Sequence, residues 1–116
     1  MALVKLAQIK EIIDGIVVVE NNVDHEVEKA FATDLMSDAL ALIDDGEETL
    51  LLTGLCNIQT LRTAEMMDIY TIVFVRGKFA DEEMISLANR LGLNLYTTTL
   101  TMYEASGKLY AAGLRA

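Results

Sequence analysis

Three times in its second half the chain passes from a short apolar run, through a loop, into a stretch with helical spacing of apolar residues. Leu50–Leu51–Leu52 leads through Thr53–Gly54 into Asn57–Met67. Ile72–Val73–Phe74–Val75 leads through Arg76–Gly77–Lys78 into Asp81–Leu91. Leu93–Asn94–Leu95–Tyr96 leads through a threonine cluster into Thr101–Ala112. Apolar runs of strand length that alternate with helices predict crossover units on a largely parallel, or mixed, sheet: an α/β fold built as a three-layer α/β/α sandwich. In such sheets ligands sit beyond the C-terminal ends of the strands. The period carries no residue-level repeat, so it does not indicate a solenoid.

The first half is less regular. Leu6, Ile9 and Ile13 lie three and four apart and predict a helix over Val4–Ile13, with Gly15 as its C-terminal cap. Ile16–Val19 is β-branched and predicts a strand, followed by a polar loop over Glu20–Glu26. Val27–Thr33 is read as one short strand, and Leu35–Ile43 as a helix with Met36, Ala39, Leu40 and Ile43 inward. Asp44–Glu48 reads as a solvated turn before a strand at Thr49–Thr53. The later strands are expected at Tyr70–Val75 and Asn94–Thr97. Asn57 and Asp81 are helix N-caps by type, because their side-chain oxygens can accept first-turn N–H groups. Gly92 closes the second of these helices, and Thr101 with Glu104 has the spacing of a capping box.

With 116 residues the chain is one domain, 1–116. Hydrophobic residues make up 53% and charged residues 23%, which predicts a packed core rather than disorder. So large an apolar share in so small a chain suggests a homodimer that covers part of it. The net charge of −9 speaks against nucleic acid and anionic membranes as partners. No apolar run approaches the roughly 20 residues of a membrane span. Met1–Ala2–Leu3–Val4–Lys5 lacks the layout of a signal peptide, and a single cysteine fits a reducing cytoplasm.

Few residues carry candidate chemistry. Arg76–Gly77–Lys78 is the densest basic cluster of an acidic chain and stands at a strand end, where it suits an anion; the alternative is a surface loop paired with Asp81, Glu82 or Glu83. Gly54, Asn57 and Thr98 fall at neighbouring strand ends and complete the candidate ligand site. Thr97, Thr99 and Thr101 add hydroxyls, Thr101 being engaged in its cap. Cys56 precedes a helix N-terminus, which can activate a thiol, but it has no His or Cys partner and suits the role of a small hydrophobe. His25, among Asp24, Glu26 and Glu28, is a solvated loop histidine rather than a metal ligand. Met66, Met67, Ile69 and Tyr70 form the candidate apolar interface patch. No metal site, cofactor or catalytic constellation is indicated.

Several stretches resemble the DRTGG domain family, which is related to the N-terminal domain of HPr kinase/phosphorylase. They are Met36–Ser37–Asp38–Ala39–Leu40, Leu52–Thr53–Gly54, Ile72–Val73–Phe74–Val75–Arg76–Gly77, Asp81 to Gly92, and Leu100–Thr101–Met102–Tyr103–Glu104–Ala105. The naming motif departs from the family's: Leu55, Cys56 and Asn57 follow Gly54 without an Asp-Arg pair, and Arg76–Gly77–Lys78 stands where the glycine pair would be. The resemblance implies an α/β sandwich with a mixed sheet and a regulatory role. Members of the family occur in phosphotransacetylases, in CBS-domain pyrophosphatases and alone. The ATP-binding domain that does the chemistry of HPr kinase is not represented, since no G-x-x-x-x-G-K-[ST] motif occurs. The expected function is therefore non-catalytic: regulation or assembly through a homodimer and a protein partner. The alternative is a sensor of a nucleotide or other phosphorylated ligand.

Overall fold

The computed structural model describes residues 3–116; the expectation about a signal peptide rests in part on Met1 and Ala2, which lie outside them. The elements are β1 (Val4–Lys5), α1 (Leu6–Ile12), β2 (Ile16–Val19), β3 (Glu26–Val27), β4 (Lys29–Ala32), α2 (Met36–Leu42), β5 (Thr49–Thr53), α3 (Ile58–Met66), β6 (Thr71–Phe74), α4 (Glu82–Leu91), β7 (Asn94–Thr97) and α5 (Met102–Ala111). Five strands form one sheet in the order β2-β7-β6-β5-β4, while β1 and β3 pair in a small separate ribbon. β4 to β7 are parallel neighbours, and β2 closes the far edge antiparallel to β7, so the sheet is mixed.

β5, β6 and β7 are buried along their whole length, which is why they read as unbroken apolar runs rather than alternating ones. Their side chains nevertheless divide between two cores. Leu50, Leu52, Val73, Val75 and Tyr96 pack with Leu6, Ile9, Ala105 and Leu109 of α1 and α5. Leu51, Ile72, Phe74 and Leu95 pack on the other face with Leu61, Ala64, Met84, Leu87 and Ala88 of α3 and α4. From β4 to β7 the chain steps across the sheet in one direction, and the handedness of parallel crossovers places the intervening helices on one face. α1 and α5, from the two ends of the described chain, cover the other.

The expected helix over Val4–Ile13 starts two residues late, because Val4 and Lys5 pair with Val27 and Glu26 instead. Its left-handed cap is Asp14 (φ 51°) rather than Gly15, whose N–H donates to Lys10 O at 2.8 Å. Aspartate is among the few non-glycine residues that adopt this conformation readily. The single strand expected at Val27–Thr33 breaks at Glu28. Its N–H donates to Glu48 O and its carbonyl accepts from Arg115, so that one residue hands the chain from the ribbon to the main sheet. Leu40, expected inward, is 50% exposed; Ala39 is the fully buried residue of α2. The turn at Asp44–Glu48 is not simply solvated. It forms a short 3-10 turn over Gly46–Glu48, and Gly46 is buried where a Cβ would collide with the Met67 carbonyl.

Candidate functional site

The C-terminal ends of β4, β5, β6 and β7 lie side by side, so the residues that follow them come to the same edge. Asp34 follows β4, Gly54 follows β5, Arg76 follows β6 and Thr98 follows β7. Asp34 and Arg76 meet across Gly54. One carboxylate oxygen of Asp34 accepts from the Gly54 N–H at 2.7 Å, and the other lies 3.4 Å from Nη1 of Arg76. The guanidinium rests on the Gly54 backbone so closely that a Cβ there would collide with it. Arg76 itself is left-handed (φ 59°), with its N–H donating to Leu100 O at 2.8 Å. The loops after β5 and β6 are thus brought into contact at Gly54 and Arg76, with the guanidinium packed on the glycine. Asp34 is the residue that sequence reasoning missed. Its signal was a carboxylate just past a strand of a parallel sheet.

The other candidate ligands are engaged within the protein. The Thr98 hydroxyl is buried, donating to Ile13 O at 2.6 Å and accepting from the Leu100 N–H at 3.2 Å. The Asn57 side chain accepts from Thr60 N at 2.9 Å, as expected of an N-cap. The Gly77 N–H donates to Thr98 O at 2.8 Å and the Lys78 N–H to Val75 O at 3.3 Å, so neither amide points into an open anion nest. Thr97 donates to Lys78 O at 2.5 Å, and Thr99 is exposed. Asp81 caps α4 through Met84 N at 2.9 Å, and among the described residues neither it nor Glu82 or Glu83 forms an ion pair with the basic loop. Lys78 is exposed and is the loop's cation without an ion pair among the described residues. The Asp34–Arg76 pair is 45% and 42% exposed, so water screens it and the pairing contributes about 0–1 kcal/mol.

The thiol of Cys56 is pushed up, first by burial and then by Asp81, the opposite of activation; its sulfur lies 4.0 Å from Met84 Sδ. Of the apolar patch, Met66 is 72% exposed, Met67 and Tyr70 are half-buried, and Ile69 is in the core at 1%. Ile69 turns inward because its N–H closes the end of α3 on Ala64 O at 2.9 Å.

At the opposite edge of the sheet, His25 is not a solvated loop residue. Its Nε2 lies 2.6 Å from Glu47 O and its Nδ1 lies 2.7 Å from the Thr71 hydroxyl. A carbonyl only accepts, so Nε2 is the donor to Glu47. Buried Asn94 extends this network: its Oδ1 accepts from the N–H groups of Asn21 and Asn22 at 2.9 Å, and its Nδ2 donates to Asn22 O and Thr71. Tyr96 donates to Glu20 at 2.5 Å, and burial together with that bond pushes its phenol well up. The Glu48 carboxyl is raised to about 7, chiefly by its hydrogen bond with Glu28, with burial and Asp45 adding to it. No group of three or more metal-ligating side chains occurs among the described residues.

Fold and site thus define an α/β sandwich with a mixed five-stranded sheet and a charged pair at the strand ends. No protein-family model matches the chain, and no curated protein is significantly similar to it. Among solved structures it is similar to the CBS and DRTGG domains of the regulatory region of Clostridium perfringens pyrophosphatase, complexed with its activator diadenosine tetraphosphate. The TM-score is 0.74 and the identity 14%, over 90% of this chain. The chain spans 45% of the length of that structure, and the likeness concerns the fold. Among the described residues no helix is long and apolar enough to cross a membrane.

Proposed function

We propose that the protein is a cytoplasmic, DRTGG-like regulatory or assembly domain without catalysis of its own, akin to the HPr kinase N-terminal domain, acting through a homodimer and a protein partner. The observation that carries this reading is the set of large apolar side chains left uncovered on the protomer: Leu35, Leu40, Leu42 and Met66 are all at least half exposed. The fold likeness to a regulatory region supports it. Static light scattering at micromolar concentration tests it. A dimer is expected, and Met66→Glu should weaken it, since a charge buried at an interface without a partner is expensive. A wild-type monomer at every concentration would remove the homodimer. A Met66→Glu protein that dimerises as well as wild type would move the interface away from Met66 and its half-buried neighbours Met67 and Tyr70.

A second reading is a sensor of a nucleotide or other phosphorylated ligand at Gly54, Asn57, Arg76, Gly77, Lys78 and Thr98. Its support is the placement of Arg76 and Lys78 on one loop at the strand ends, and the nucleotide activator in the similar regulatory region. The internal bonds of Thr98 and Asn57 leave the two cations to respond, Lys78 directly and Arg76 by exchanging its screened pairing with Asp34 for the ligand. Thermal shift with a nucleotide panel tests this reading, because a ligand that binds only the folded state must raise Tm. A shift lost in Arg76→Ala/Lys78→Ala supports it, and no shift at millimolar ligand removes it.

A further inference from the structure

We propose that α2 is the docking surface for a different protein, one whose contact face is apolar and rimmed by Lys and Arg. The inference rests on the assembly reading above and gives the partner its chemistry. From Leu35 to Ile43 the only polar residues are Ser37 and Asp38. A helix that is apolar all round belongs in an interior. Yet Ala39, with half-buried Met36 and Ile43, already fills its inward side, and Leu35, Leu40 and Leu42 are 56%, 50% and 66% exposed. Leu42, Phe31 and Ile43 also line a cavity of about 270 Å³ between α2 and the edge strand β4, which a partner's apolar side chain could enter.

Charge decides which occupant fits. Asp38 sits on the exposed side of α2, and Asp44 and Asp45 follow its C-terminal end, where the helix dipole favours cations. No basic residue occupies the last turn, and the ion pair at this end is Lys29 to Asp44 at 3.8 Å, with the Asp44 side chain 93% exposed. A second copy docked here by a two-fold axis would set this acidic rim against itself, in a chain of net charge −9. A basic rim would complement it, and complementary rims select partners by suppressing the wrong ones.

The test uses two synthetic helical peptides with the same leucine face, one flanked by lysines and the other by glutamates. Their binding is read by fluorescence anisotropy at low and high salt. The lysine peptide should bind at least about tenfold more tightly than the glutamate peptide, and its binding should weaken with salt. Leu40→Gln/Leu42→Gln should cost at least about tenfold, Asp38→Lys/Asp44→Lys should abolish the preference for lysine, and Met66→Gln should change neither. Circular dichroism checks that each variant is folded. Equal binding of the two peptides, or lysine-peptide binding untouched by both α2 variants, overturns the proposal. Light scattering on the same samples separates this from the assembly reading. A dimer that becomes monomeric in Leu40→Gln/Leu42→Gln makes α2 the self-interface, which overturns the basic partner and keeps the assembly role. A monomeric wild type that still binds the lysine peptide through α2 supports the docking surface and removes only the homodimer.

Discussion

At Gly54 a missing side chain decides whether Arg76 can lie against the backbone and reach Asp34. Gly54→Ala should therefore cost under about 1 kcal/mol, because the group it meets is the far end of a flexible, half-exposed arginine that swings aside and gives up only a water-screened ion pair. In a double-mutant cycle, Arg76→Ala should relieve part of that loss, because it removes the group the methyl meets. Additive losses in denaturant melts would show that the clash is not with Arg76. Buried Asn94 is a second such point. Asn94→Ala leaves the N–H groups of Asn21 and Asn22 without their acceptor and should cost about 2–3 kcal/mol, whereas Thr99→Ala, at an exposed hydroxyl, should cost under about 0.5. Neither partner of Asn94 was legible in the sequence. Asn21 and Asn22 lie more than seventy residues away along the chain, and a polar residue within an apolar run shows only that something must satisfy it. The same holds for Asp34 and Arg76: the basic loop could be read, but the carboxylate that pairs with its arginine follows β4, two strands away in the sheet and 42 residues away along the chain.

At the scale of elements, local signals were reliable where they are strictly local. The caps at Asn57, Asp81 and Thr101 form as their spacing implied, and Gly92 closes α4 in the left-handed region. Signals that depend on a distant partner were not. The segments at Val4–Lys5 and Glu26–Val27 are strand only because they find each other, and His25 is ordered only because β6 and the turn before β5 bring it Thr71 and Glu47. That turn also carries a pH dependence. Glu48 binds its proton at about 7 in the folded protein against 4.5 for an unperturbed carboxyl. Between those values the folded state holds more protons than the unfolded one, so the contribution of Glu48 to stability falls as pH rises through this window. Between about pH 5 and pH 8, Glu48→Gln should flatten that fall in Tm relative to wild type. Parallel Tm profiles for the two proteins would show that the proton is not held at Glu48.

For the whole molecule, the crossover pattern was legible because it repeats one unit, and each unit predicts its own strand, loop and helix. The mixed sheet was open in the sequence; the antiparallel edge is made by β2, a β-branched run with no signal for its partner. The division of the second half into two faces of core follows from side chains alternating along strands buried on both sides. What alternation could not say is which helical residues stay uncovered once the sheet is full. The answer is Leu35 just before α2, Leu40 and Leu42 within it, and Met66 at the end of α3, all at least half exposed; α2 is the proposed docking surface, and Met66 carries the proposed homodimer. Its most direct test is sedimentation equilibrium of the unmodified protein over a micromolar concentration series. The account predicts a mass that rises with concentration to twice the 12.8 kDa of the protomer. A mass of 12.8 kDa throughout would contradict it.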